Sequence, residues 1–416
     1  MNYFTITLLA FLGIFQLSCA QKQESTTQWL EHNTIDLQPN NAYDFSKLNS
    51  ILKDKRIVAI GESTHGLGKF YEIKSALVMY LHKELGFDII AMEGGLGDIN
   101  LAYRDIDTIA AKNLRDYTLF GNFKAKEIDT LFNHIKNTSK SERPLIYAGY
   151  DTQFSSNYFI TKMTKLLKPL NKTLADSFPH KIYSFQKAFQ ASHNNDSINY
   201  IKHRDIYINT AKQISTLITT NKEQLITSKL LNDKDYVFIQ KTLNMFIQST
   251  DLSYANRFMG YGLRDKLMAE NLIWLLEEVY PDKKVIVWAH NGHVEKNFVE
   301  GYNTKLMGHF LKEKYGENYY TIGLFAYEGE AYQHWTQNRI PFKNNDSLAI
   351  ENKLYKTNKN CPFLDMSKLK QTPNTKWLFN VATGFELENG GTINFIPTKR
   401  FDAILSVNTY SGIPTY

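Results

Sequence analysis

The chain has 416 residues, 43% of them hydrophobic and 22% charged, with a formal net charge of +6. This composition excludes global disorder and allows a large core in one or two domains. The positive excess forms no dense Lys/Arg cluster and accompanies no nucleic-acid motif, so a mildly basic, solvated surface is expected and no nucleic-acid partner.

Residues 3–17 are mostly apolar but too few to span a bilayer comfortably, so residues 1–20 read as a targeting segment. Leu17-Ser18-Cys19-Ala20 resembles a bacterial lipoprotein cleavage site, at which Cys19 becomes the lipidated first residue. Gln16 stands where an apolar residue is usual, and the n-region Lys/Arg is missing. Cleavage after Ala20 by the ordinary signal peptidase and retention as an uncleaved anchor are the alternatives. The expected protein is exported and sits in the cell envelope. It is held to a membrane through Cys19, or is otherwise periplasmic or secreted. With Cys19 lipidated only Cys361 remains, so no internal disulfide can form and the fold must rest on its core.

Residues 21–50 are polar and read as a tether or an entry segment, followed by one domain over residues 51–416. Arg56-Ile57-Val58-Ala59-Ile60 is a short apolar run that stops at Gly61-Glu62-Ser63-Thr64-His65-Gly66. It predicts a buried strand followed by a turn into a helix. That helix is expected over residues 69–85, with Phe70, Ile73, Leu77, Leu81 and Leu85 on one face and Gly86 as its C-terminal cap. Asp88-Ile89-Ile90-Ala91-Met92-Glu93 repeats the pattern, and Pro144-Leu145-Ile146-Tyr147-Ala148-Gly149-Tyr150-Asp151 repeats it again. From about residue 156 to 280 the strand signal gives way to helices, of which residues 263–280 are the clearest. Lys284-Val285-Ile286-Val287-Trp288-Ala289-His290-Asn291-Gly292-His293 is the fourth run, and further strands are expected over residues 319–327 and 401–407. Residues 336–376 read as irregular and polar.

None of the four runs alternates between apolar and polar residues, as expected of strands covered on both faces. The predicted fold is therefore α/β, with a largely parallel central sheet flanked by helices. The long helical insertion at 156–280 would form a lid or wall over the strand C-terminal edge. Ligands bind outside the carboxyl ends of parallel strands. Glu62, His65, Glu93, Asp151, His290 and His293 would gather there.

Such a cluster supports three chemistries. His65 could take a proton from water, with Glu62 and Glu93 fixing its tautomer and balancing its charge. Lys74, nine residues on, could stabilise an oxyanion. The same acids and imidazoles match zinc or manganese ligands in type, so a divalent metal is an alternative cofactor, although His-Glu-x-x-His is absent. Ser63 lies in a near-match to Gly-x-Ser-x-Gly, but the second glycine comes one residue late, which argues against a nucleophile elbow. Gly94-Gly95-Leu96-Gly97 lacks dinucleotide spacing and reads as a turn. Asp151 reads equally as a pocket acid or a turn residue. Arg264 and Asp265 read as the solvated start of a helix.

These blocks resemble the erythromycin esterase family. The match runs through Gly61-Glu62-Ser63-Thr64-His65-Gly66, Phe70, Lys74, Gly86-Phe87, Ile90-Ala91-Met92-Glu93 and Gly149-Tyr150-Asp151. It continues through Arg264-Asp265-Lys266-Leu267-Met268-Ala269-Glu270-Asn271, Trp274, Ala289-His290-Asn291-Gly292-His293, Met307-Gly308, Tyr315-Gly316 and Phe401-Asp402-Ala403. The resemblance implies hydrolysis of an ester, in the best-known members a macrolide lactone. It implies His65 as general base, Glu62 and Glu93 as active-site glutamates, His290 and His293 as the later histidine pair, and Lys74 as an active-site cation. Asp151 and Arg264 join Lys74 as expected substrate contacts. Some members carry Arg in place of Lys74, and Lys69 replaces a frequent Glu; both departures touch substrate contacts more than the water-activating core. The expected partner is a small ester, and no protein partner is expected. A non-catalytic lipoprotein that binds a ligand in the same cleft is the alternative of a different class.

Overall fold

The computed structural model describes residues 25–192, 197–250, 257–297, 304–333, 336–387 and 391–410. Residues 1–20, with Cys19 and Ala20, on which the expected targeting segment falls, lie outside them. The described strands are β1 (Ile35–Asp36), β2 (Ile57–Ile60), β3 (Ile89–Gly95), β4 (Ile146–Asp151), β5 (Val285–Trp288), β6 (Tyr319–Gln333), β7 (Asn338–Lys343), β8 (Pro362–Asp365), β9 (Ala382–Glu386), β10 (Gly391–Phe395) and β11 (Ala403–Tyr410). Nine of them form one sheet in the order β1-β8-β11-β6-β2-β5-β3-β4, with β7 paired to β6; β9 and β10 form a separate hairpin. The neighbours from β11 through β4 are all parallel. The helices used below are α1 (Gly68–Leu85), α2 (Leu96–Arg104), α3 (Tyr158–Leu167), α4 (Lys172–Ser192), α5 (Ser197–Thr220), α6 (Asp233–Ser249), α7 (Arg257–Trp274), α8 (Asn291–Val294) and α9 (Met307–Tyr315).

The unbroken apolar runs have the expected cause. Ile57, Ala59, Ile89, Ala91, Val285 and Val287 pack on one face, against buried residues of α3 to α7 and α9. Val58, Ile60, Ile90, Met92, Ile286 and Trp288 pack on the other, against Phe70, Ile73, Leu77 and Leu81 of α1. Strand side chains alternate between faces, so both parities must be apolar when both faces are covered. Each such fully buried aliphatic side chain contributes roughly 1.5–3 kcal/mol relative to exposure. Gly86 caps α1 in the left-handed region at φ 69°, where a Cβ would be strained.

Between β4 and β5 the described residues form helices and turns without a strand. This insertion stands as a wall against one sheet face, and its last helix, α7, reaches the strand ends. The chain passes from β2 to β3 across an empty slot, which β5 fills only after the insertion. Register then levels the strand ends: Ile60 pairs with Trp288, and Trp288 with Met92. Glu62, His290 and Glu93 follow these residues by two, two and one positions, so they emerge side by side.

Two stretches differ from expectation. Residues 25–50 are not a tether. A short helix, Thr26–Asn33, opens with a capping box at Ser25 and Gln28, β1 pairs with β8, and Leu37, Phe45 and Leu48 are buried. Residues 336–376, expected to be irregular, hold β7, a helix at Ile350–Tyr355 and β8. β7 is mostly exposed and prolongs β6 as an antiparallel hairpin, so it lacks the continuous apolar signal of an inner strand. β6 and β11 also run past their expected ends, to Gln333 and Tyr410.

Candidate active site

The turn after β2 delivers the first pair. Glu62 is fully buried, and its two oxygens are divided between two partners. Oε1 meets Nδ1 of His65 at 2.8 Å, and Oε2 accepts from Nζ of Lys74 at 2.7 Å. Lys74, on the second turn of α1, is itself enclosed; it also donates to the Ala289 carbonyl at 3.3 Å and lies 4.3 Å from the Trp288 ring centroid. Burial pulls its ammonium down to about 8, against the attraction of Glu62 and Glu93. The His65 side chain stays 15% exposed. Its faces are set by Phe123, edge-on at 5.0 Å, and by His290 at 5.2 Å. Gly66 lets the backbone of Tyr332 approach: a Cβ there would lie 1.9 Å from the Tyr332 carbonyl oxygen.

The ends of β3, β4 and β5 deliver the second group. Glu93 accepts from the His290 backbone amide at 3.2 Å through Oε2, and Oε1 meets Arg264 at 3.2 Å. Arg264 also grips buried Asp151, with Nε donating at 3.0 Å and Nη2 completing a two-pronged pair. Burial alone would raise Glu93, but the charges of His293, Arg264 and His65 hold it well below the usual carboxylate range. Burial opposes the Arg264 cation too, and Asp151 and Glu93 outweigh it and raise its pKa. His290 caps α8, its Nδ1 accepting from the Gly292 amide at 3.1 Å, so its hydrogen in the neutral form sits on Nε2.

His293 points to a residue that sequence reasoning misjudged. Its Nδ1 lies 2.7 Å from Oδ1 of Asp265, which also accepts from the Met307 amide at 2.9 Å. Asp265 is fully buried rather than on a solvated face, because α7 packs against α9 and turns this side chain inward. Its neighbour Arg264, also expected on that face, is 12% exposed and committed to the two carboxylates. Burial would lower the His293 imidazolium, but Asp265 and Glu93 outweigh it and push the ring up to about 10. The adjacent Arg-Asp pair in the middle of α7, on a helix already expected to border the strand ends, was the available signal for this contact; nothing in the sequence pointed to Phe123.

All eight expected site residues thus meet in one cluster, but not on equal terms. His65, His293 and Arg264 keep some exposure, whereas Glu62, Glu93, His290, Lys74 and Asp151 are buried, as is Asp265. Ser63 is buried, and its Oγ has no hydrogen-bond partner among the described residues, so no base activates it. Among the described residues no group of three or more His, Cys, Asp or Glu side chains is placed to hold a metal ion. Glu62 and Glu93 already carry Lys74 and Arg264 as cations, and a divalent ion would compete with both. The donor set does not fit the metal alternative.

The family model described as erythromycin esterase matches residues 82–410. The chain is 26% identical to YbfO of Bacillus subtilis (strain 168), which carries a provisional hydrolase name, over 91% of this chain and 90% of that one. It is 24% identical to an erythromycin esterase type II of Escherichia coli, over 73% and 77%. The fold matches a solved histidine-to-asparagine variant of the erythromycin esterase EreC in its open conformation, with a TM-score of 0.64 at 17% identity, over 92% of this chain and 98% of that one. With the family model spanning most of its length, the chain belongs to the erythromycin esterase family and is a hydrolase.

Proposed function

We propose that the protein cleaves a carboxylic ester with a water molecule activated by His65. One observation carries this reading: His65 is anchored at Nδ1 by a buried carboxylate while its side chain keeps 15% exposure to solvent. An anchored imidazole can present its other nitrogen to water as a base. In this reading the ring takes a proton from water as the oxygen attacks the ester carbonyl, and Glu62 stabilises the imidazolium that forms. The imidazolium then returns the proton to the departing alkoxide, so one water is consumed and an acid and an alcohol result. His290 donates Nε2–H toward the carbonyl oxygen. Lys74, enclosed beneath Glu62, acts through that carboxylate rather than on substrate. Arg264 acts through Glu93 and Asp151.

A macrolide lactone is the first substrate to try, because a relative of known name is an erythromycin esterase. We also propose that the enzyme is exported and lipid-anchored at Cys19, from the apolar segment and the Leu17-Ser18-Cys19-Ala20 site. The test is mass spectrometry of erythromycin incubated with protein lacking residues 1–20, beside its His65→Ala form. Gain of one water with the wild type alone is expected. Equal turnover by both forms would remove His65 as the base, and silence toward erythromycin and a panel of simpler esters would remove the ester.

A further inference from the structure

The two dyads of the site look alike but are wired differently. His65 meets one carboxylate, Glu62, at Nδ1. His293 faces a carboxylate at each nitrogen: Asp265 at 2.7 Å from Nδ1 and Glu93 at 3.4 Å from Nε2. Arg264 Nη1 is also 3.4 Å from Nε2. Two protonation states compete for that geometry. A neutral ring would donate to Asp265 and accept from Arg264; an imidazolium would donate to both carboxylates.

Charge balance decides between them. Glu62, Glu93, Asp151 and Asp265 are all at most 5% exposed. Lys74 pairs with Glu62, and Arg264 is committed to Asp151 and Glu93. With His293 neutral, Asp265 would be a buried carboxylate with no cation, and its second oxygen has no hydrogen-bond partner among the described residues. Buried charges persist only when paired. We propose that Asp265 is a positioning residue that holds His293 as a buried imidazolium, a fixed cation bridging Asp265 and Glu93, so that His65 alone moves protons. The bridge has a purpose at each end. Glu93 is steered so that its other oxygen receives the His290 amide, and Asp265 ties the start of α9 to the site through the Met307 amide. The catalytic consequence rests on the hydrolase reading; the charge state does not.

The charged groups facing the ring are Asp265 and Arg264 of α7 and Glu93 of β3; burial opposes the ring's charge, and Asp265 and Glu93 outweigh it and push its pKa up to about 10. The experiment is a nitrogen-15 NMR titration of the full chain labelled at histidine, with His293→Gln to identify the ring. Both nitrogens of His293 should be protonated at neutral pH. In Asp265→Asn, which keeps an acceptor for the Met307 amide but loses the charge, the midpoint should fall by about 1–3 pH units. A wild-type ring that is neutral at pH 7 and accepts at Nε2 overturns the proposal, whether or not Asp265→Asn folds. So does an unchanged midpoint in that variant. Turnover is read beside it: full activity in Asp265→Asn despite a lowered midpoint would overturn the positioning role. Loss of the hydrolase reading itself would appear instead as inactivity of the wild type with the His293 titration intact.

Discussion

Lys74 offers a quantitative test of how the site is supported. Its ammonium is enclosed between Glu62, the Ala289 carbonyl and the Trp288 ring, and burial outweighs Glu62 so that it titrates at about 8 instead of 10.5. Below pH 8 both the folded and the unfolded chain hold this proton, and above about 10.5 neither does. Between those values the unfolded chain binds more protons, so stability from this group rises with pH. The full gap of about 2.5 pH units corresponds to about 3 kcal/mol at 1.36 kcal/mol per unit. Between about pH 7.5 and about pH 9.5 the wild type gains about 2 kcal/mol of it. Lys74→Met lacks the titrating group and leaves Glu62 buried with His65 as its remaining ionic partner. It should be less stable than the wild type by a few kcal/mol at about pH 7.5. The gap should widen by about 2 kcal/mol at about pH 9.5. Urea unfolding of both proteins at the two pH values measures it. A gap that stays constant or narrows would show that the attraction of Glu62, not burial, governs Lys74, and the account of the site's electrostatics would fail.

Three further outcomes follow from the same geometry. Gly61→Ala would place a Cβ 2.1 Å from Oδ1 of Asn291, whose amide bridges the Leu324 backbone at 3.2 and 3.1 Å; a loss of about 2–4 kcal/mol is expected. Adding Asn291→Ala should recover part of it in a double-mutant cycle, and strict additivity would contradict the contact. Arg264→Gln strands buried Asp151, so thermal or urea unfolding should show a loss of about 3–5 kcal/mol, and turnover should collapse as Glu93 loses one of its two cationic partners; a loss below about 1 kcal/mol would mean the pair is not holding the site. Chelation should leave hydrolysis unchanged, because the carboxylates are held by Lys74 and Arg264; inactivation reversed by zinc or manganese would contradict that arrangement.

The strands were readable because covering both sheet faces forces every position to be apolar, and such runs have few competing explanations. Glu62, Glu93, His290 and Asp151 were readable for a related reason: each stands within two residues of a strand's carboxyl end, and a parallel register levels those ends. The docking of residues 25–50 was hidden because a polar segment can dock through a few side chains, here Leu37, Phe45 and Leu48, that form no periodic pattern. β7 was missed because an exposed edge hairpin need not be apolar at all. Asp265 was the consequential miss. Its partner His293 is 28 residues away, and no local rule tells which helical residues will face a cleft made by another element.

That contrast separates the site into two parts held by different forces. Glu62, Glu93 and His290 are placed by backbone hydrogen bonds between strands, with Ile60, Trp288 and Met92 in register directly behind them. Arg264 and Asp265 are placed by side-chain packing, through Met268, Ala269 and Leu272 of α7 in the core shared with the sheet. The insertion is therefore more than a cover. It returns the chain so that β5 enters the slot between β2 and β3, and its last helix then brings the cation and the carboxylate that orient what β3 and β5 present. A ladder of backbone bonds tolerates side-chain change, whereas packing at interior density answers to single methylene groups. The dyad of His65 and Glu62 is thereby anchored in the more tolerant part of the fold, and the bridge of His293 and Asp265 in the part most sensitive to substitution.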